Sequence, residues 1–497
     1  MKTKSIIAII IFVLLVQGIT LAQEVRIDPT TTVTIETGTI MDITSGNLIL
    51  ESNAGGDVSL IVLGAIEMNN GGKTHAERYL PGSAQTWHLL GSPVSGMTIN
   101  GSTFAPGGND DFFAWYESSP GTWVNYKNSD EPAFNTINGG DSFVAGKGYL
   151  IAYNTANSTK TFSGNIIGGN VTFTLKNSGS KLWTYESGWN LMSNPYTSSI
   201  DWNKANRSQF QDDFVYVYDP NKSGGEGYIS VDGGAAHAYI GPHQGFFVIA
   251  KTTANNQIFN FSKALQTHEG GNFLKSTDSQ DILILKLSSQ EYFDETTIKL
   301  SEESDFSRDR KDGIKLYSFN SSVPQLYSIS QDKTKLSVNS VPHLNDDTQI
   351  PLGIRIPNDN LYTISVQRNT GHFASNILYL EDKVLNKLHK LSSENYQFTA
   401  IQGDIKDRFV LHFGATDIHE NDPIKILNIY TYHKQLNIIS DIQQAMLEIF
   451  DMQGRLISSK SIHINGKYSE MLKLLPGIYI VRLQNSNMVK SKQIIIQ

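Results

Sequence analysis

The sequence predicts an all-β protein assembled from several small units, and three observations carry that prediction. Apolar residues alternate at period two in short runs, as at Val58, Leu60 and Val62, and no long stretch shows the 3.6-residue period of a helix. Gly, Asn, Ser and Pro break those runs at the places turns require. Aromatic and β-branched residues, which suit pleated surfaces, are abundant throughout.

The first 22 residues are set apart. Lys2 and Lys4 form a basic start, Ile6 to Val16 is an unbroken apolar run, and Thr20-Leu21-Ala22 offers small residues for cleavage. That is the build of a secretory signal peptide, with a run too short to span a bilayer. The expected mature chain begins at Gln23 and has no transmembrane segment. Its net charge is acidic, −8 for the whole sequence, and it lacks a basic cluster, which argues against nucleic acid as a partner. The chain has no cysteine, which excludes thiol nucleophiles, thiolate zinc sites and iron–sulfur clusters.

Residues 23–75 read as short strands punctuated by Gly38, Gly46 and Gly55-Gly56, and a small stacked sheet is expected there. An internal repeat fills 76–275. Copy one, about 87–162, opens Trp87-His88-Leu89-Leu90-Gly91-Ser92-Pro93; copy two, about 189–261, opens Trp189-Asn190-Leu191-Met192-Ser193-Asn194-Pro195. In each, Asp-Asp-Phe begins 23 residues after the Trp, at Asp110 and Asp212, and leads into an aromatic strand. Each copy closes on a glycine-led strand, Gly148-Tyr149-Leu150-Ile151 or Gly245-Phe246-Phe247-Val248. Period-two alternation of these aromatics fits the filling of a sandwich core. Trp123 and Tyr126, in a Gly/Pro-rich loop of copy one, are the candidate ligand-facing aromatics. Residues 281–414 read as a further β-sandwich, followed by a polar link.

The tail reads as strand, glycine turn, strand and closing edge strand. Leu447 to Phe450 runs into Asp451-Met452-Gln453-Gly454-Arg455; Pro476-Gly477-Ile478-Tyr479 starts a second strand; Lys490-Ser491-Lys492 leads into Ile494-Ile495-Ile496. Over 424–497 these residues resemble the C-terminal (type A) sorting domain of cargo of the bacterial type IX secretion system. The motif residues are Asp451, Gly454, Arg455, Pro476, Gly477, Tyr479, Lys490 and Lys492. Members often open with Asn-Pro, where this chain has Asn428-Ile429. The resemblance implies an Ig-like β-sandwich read by the outer-membrane translocon and removed by tag-cleaving machinery, and hence a secreted or surface-attached protein. The Trp-x-Leu-x-x-x-Pro copies resemble uncharacterised β-modules of long cargo proteins.

Compact catalytic motifs are missing from the sequence. His268-Glu269-Gly270-Gly271 lacks the second histidine of a zinc-hydrolase helix, no G-x-S-x-G elbow occurs, and no phosphate loop appears. Adjacent aspartates such as Asp110-Asp111 and Asp212-Asp213 point to opposite faces of a strand, so they suit turns better than paired acid–base work. Asp305 to Gly313 places oxygen donors at alternate positions, but Arg308, Arg310 and Lys311 oppose a cation and the closing Glu is absent. Asp219 to Gly227 is a similar loop. The expected function is therefore a non-catalytic surface protein, without cofactor or metal, serving adhesion or interaction with glycan or matrix. A secreted polysaccharide or protein hydrolase and a structural matrix component are the alternatives.

Overall fold

A computed structural model describes residues 24–496, except 119–120, 131, 180–186, 223–225, 235–237, 271–280, 346, 386, 416–426, 433, 441–443, 465 and 486–487. The expected leader and most of the link before the tail lie outside the described residues. The regular secondary structure described is almost entirely strand, with one five-residue α-helix at Phe134–Asn138 and a few 3-10 turns.

The N-terminal strands do not form one stacked sheet; they wind as a three-sided coil. Val25 lies parallel to Leu48 and Leu48 to Thr74 on one side, Thr32 to Ser59 on the second, and Ile40 to Ala65 on the third. Strands of three or four residues cannot reach across a sheet, so the chain turns a corner after each and pairs with its own next coil. Ile27, Ile43, Leu48, Leu60 and Val62 fill the interior. The coil passes directly into copy one, because Thr74–Leu80 pairs antiparallel with Ser158–Ile166.

Each copy of the repeat forms a four-stranded sheet with the same strand order. In copy one Trp87 leads into His88–Leu90, which lies beside Tyr149–Ala152, then Asp111–Tyr116, then Thr122–Asn125. In copy two the order is Trp189–Ser193, Gly245–Ile249, Phe214–Asp219, Gly227–Asp232. The registers differ by one residue in the second strand. Leu150 and Phe247 occupy matching places, opposite Leu89 and Leu191, yet Leu150 faces Phe113 while Phe247 faces Tyr216. The equal Trp-to-Asp spacing is thus not an equivalence in space: Tyr216, not Val215, corresponds to Phe113.

One face of each sheet fills its own core, with Phe112, Ala114, Tyr149 and Ile151 in copy one and Val215, Val217, Phe246 and Val248 in copy two. The other faces meet each other. Leu89, Leu150, Phe113, Trp115 and Trp123 pack against Trp189, Leu191, Tyr216, Tyr218 and Phe247 in one shared aromatic cluster.

Residues 282–415 build a single eleven-stranded sheet that folds back over itself to enclose its core. Phe398, near one end of that sheet, packs on Phe409, near the other, with ring centroids 4.8 Å apart. The tail is a separate sandwich. Leu427–Tyr432, Gln435–Ser440 and Gly466–Met471 form one sheet; Leu456–His463, Gln444–Asp451, Gly477–Asn485 and Met488–Ile496 form the other. Leu436, Ile438, Leu447, Ile449, Val481 and Leu483 are buried between them.

Candidate functional site

The junction between the copies is reciprocal. The Gly91 amide donates to the His243 carbonyl at 2.9 Å, and the Ser193 amide donates to the Gly146 carbonyl at 2.9 Å. Gly91 and Ser193 each lie four residues after the Trp, and Gly146 and His243 each lie two before the strand-opening glycine. Bridges Leu90 to Gln244 and Met192 to Lys147 repeat the pattern. The same patch on each copy therefore contacts the same patch on the other, as in an isologous dimer held within one chain. His243 takes the positive φ, 57°, that Gly146 takes in copy one at 76°.

The candidate ligand-facing aromatics are half-buried against other rings. Trp123 is ringed by Trp115, Phe247 and Phe319 at centroid distances of 5.2, 5.7 and 5.9 Å. The Trp115 indole N–H donates to the Trp189 carbonyl at 2.7 Å. Tyr126 packs on Phe134 and donates its hydroxyl to Asp141 at 2.5 Å; burial and then that carboxylate push its pKa up to about 12. The contacts of both rings are those of packing residues, and each keeps part of its surface open.

The aspartate pairs are structural ties. Asp110 accepts the amides of Gly107 and Asn154, and Asp111 accepts from the Asn125 side chain. Asp212 is fully buried and accepts from the Phe214 amide, the Tyr216 hydroxyl at 3.0 Å and Arg308 at 3.3 Å. Asp213 accepts from Arg310 at 2.6 Å. Both arginines belong to the 305–313 loop. There the carboxylates accept backbone amides (Asp309 that of Lys311, Asp312 that of Ser340), while the two arginines clamp copy two to the sandwich. Burial raises Asp212 to about 7 against the pull of Arg308, and raises Asp312 to about 7 as well. In the 219–227 loop, Glu226 accepts the Trp87 amide at 3.0 Å and Lys222 reaches Asp294 at 3.4 Å. Among the described residues no group of three or more His, Asp or Glu side chains converges as metal ligands.

One hollow escaped the sequence reading. A polar recess of about 470 Å³ is lined by Thr363, Lys387, His389, Glu394, Asn395 and Gln397 over Tyr396. Six of its seven lining residues fall within 387–397, but they carry no recognisable motif.

The tail motif is a built turn. Asp451 ends its strand and accepts the Gln453 amide at 3.0 Å, the Arg455 amide at 2.9 Å and the Arg455 Nε–H at 2.8 Å. Those bonds, first the one from the Arg455 side chain, hold its pKa below the usual value. The Gly454 amide donates to the Asp451 carbonyl at 3.0 Å with φ 81°, the left-handed residue of a bulged hairpin. Gly477 has no positive φ, and a Cβ there would meet Tyr479 at an ordinary 3.6 Å. The Tyr479 hydroxyl donates to the Leu475 carbonyl at 3.0 Å and so pins the turn through Pro476. Lys490 and Lys492 lie on the closing edge strand opposite Leu483 and Val481, where a charge on the inner face discourages further pairing. Lys492 also reaches Asp347 of the sandwich at 2.5 Å.

Residues 432–497 match the secretion system C-terminal sorting domain. Residues 4–223 and 202–413 each match a family described as Domain of unknown function (DUF8693), with the overlap falling in copy two. No curated protein matches the chain. The tail identifies the protein as cargo of the type IX secretion system, exported to the cell surface or the extracellular space. Through the two successive matches ahead of its sorting domain, the chain belongs to the DUF8693 family.

Proposed function

We propose that the mature chain is a non-catalytic surface component that serves adhesion through glycan or matrix contact, after a leader is removed behind Ala22. The observation that carries this reading is the use to which the acids and aromatics are put. Asp110, Asp111, Asp212 and Asp213 are all spent on amides, side-chain donors or arginines, so none faces another across a cleft as a glycosidase pair would. Interlocked copies clamped to a further sheet make a rigid support, and rigid supports suit the display of a binding face. The polar recess around Lys387, His389 and Gln397 is the place we assign to a ligand, because its amide, ammonium and imidazole groups match the hydroxyls and acidic groups of a glycan.

A glycan-array screen of the tag-free chain, paired with a product assay on bound glycans, tests the reading. Binding without turnover, weakened by Lys387→Ala, is expected. Turnover of a bound polysaccharide would favour the hydrolase reading, and no binding to any glycan would favour a structural matrix component.

A further inference from the structure

We infer that the outer face of the four-stranded tail sheet is the surface that docks on the secretion machinery, against an apolar partner surface. This rests on the tail being a sorting domain and adds the face by which it is read. Nine of the seventeen large apolar side chains exposed among the described residues lie in the tail, and the other eight are scattered over the rest of the chain. Exposed apolar side chains concentrated in one small unit mark an interaction surface.

The ladder registers show how the face is composed. Leu456 lies opposite Phe450 and Phe450 opposite Ile480; the next row pairs Ile478 with Ile495. Directly opposed residues share a face, and alternate residues Leu447, Ile449, Val481 and Leu483 point the other way into the core. The outer row is therefore not needed to hold the sandwich together, yet Leu456, Ile478 and Ile495 are 52%, 42% and 58% exposed. Glu448 and Arg482 form an ion pair at 2.7 Å beside this row, with the guanidinium 4.7 Å from the Phe450 ring. A charged pair bordering an apolar centre is the usual anatomy of a protein-docking patch. The occupant follows from the sorting role: the machinery must touch this unit, and among the described residues of the tail this row is apolar and open to solvent.

The test is export of the full chain carrying Leu456→Thr, Ile478→Thr and Ile495→Thr, singly and together; threonine keeps the strand preference while removing apolar surface. Wild type and a chain lacking the tail run alongside. The expected result is several-fold loss of surface and supernatant protein from the triple variant, graded through the single ones. The thermal midpoint of variant purified from the periplasm should equal that of wild type purified in the same way. Wild-type export of the triple variant, with the tail-less chain retained, overturns the docking face alone. Wild-type export of the tail-less chain overturns the sorting role beneath it. Loss of export only together with a lowered thermal midpoint in every variant would also overturn the proposal, as would a wild-type dimer that the triple variant abolishes without losing export.

Discussion

Adding one methyl group at Gly245 should loosen the junction between the two copies. A Cβ built there lies 2.7 Å from the Leu90 amide nitrogen and 2.8 Å from the Leu89 carbonyl carbon, both backbone atoms of the other copy. Neither can swing aside as a side-chain tip would, so the sheets must part by several tenths of an ångström. Overpacking of this kind costs about 1–3 kcal/mol, and the rigid neighbours place Gly245→Ala toward the upper end. Reciprocity makes a second forecast. At Gly148 the added Cβ would lie 2.5 Å from the Met192 carbonyl oxygen, so Gly148→Ala should cost a similar amount. Both changes open the same interface, and together they should cost less than the sum of the two. Gly107 has no positive φ and nothing within 4 Å of an added Cβ, so Gly107→Ala should be neutral or stabilising by about 0.4–1 kcal/mol. Urea unfolding followed by tryptophan emission is the assay, since Trp115, Trp123 and Trp189 all sit in the junction. Wild-type midpoints for both Gly148→Ala and Gly245→Ala would refute the reciprocal packing.

Two further predictions rest on contacts of copy two, and a third on the sequence of the leader. Trp189 is 5% exposed against Tyr216 and Phe247, so Trp189→Ala should cost about 3–5 kcal/mol in unfolding free energy; a near-neutral result would restore a ligand-facing role for that ring. Burial raises Asp212 to about 7, so the folded chain holds a proton that the unfolded chain releases above about pH 4. The stability this group contributes is full below that pH and is lost as pH rises to about 7; Asp212→Asn should make the fall of the urea midpoint over that window shallower, and an unchanged slope would contradict the assignment. Secreted protein should begin at Gln23, and terminal sequencing that finds Lys2 or Lys4 would refute the leader.

What the sequence made legible was local. Turn glycines and alternating aromatics mark the two copies because each strand needs them wherever its partner lies. The coil at the start was missed since its strands pair with residues a full circuit away, and nothing in Val25–Ile27 announces that its partner is Leu48–Leu50. The aromatic alternation pointed to one buried face, whereas the pairing of the copies covers a second, on which Trp123 is half-buried. Equal Asp-Asp-Phe spacing misled for a different reason: copy two carries one more residue before its second strand comes into register. The 305–313 loop showed oxygen donors, but the partners of its arginines are Asp212 and Asp213, about a hundred residues earlier in the chain. The tail was readable because its signal is a compact turn, in which Asp451, Gly454 and Arg455 satisfy one another within five residues.

Cell fractionation gives the most direct test of the tail as an export address. Three forms are compared: the full chain, a chain ending at residue 413, and the full chain with Gly454→Val. Valine resists the φ of 81° that the turn requires, although no atom lies within 4 Å of the new Cβ, so its effect should come from the turn conformation alone. Wild type should appear at the surface or in the supernatant. The shortened chain should stay in the periplasm with residues 23–413 folded, and Gly454→Val should accumulate there in part. Normal surface or supernatant levels of the shortened chain would contradict the sorting role.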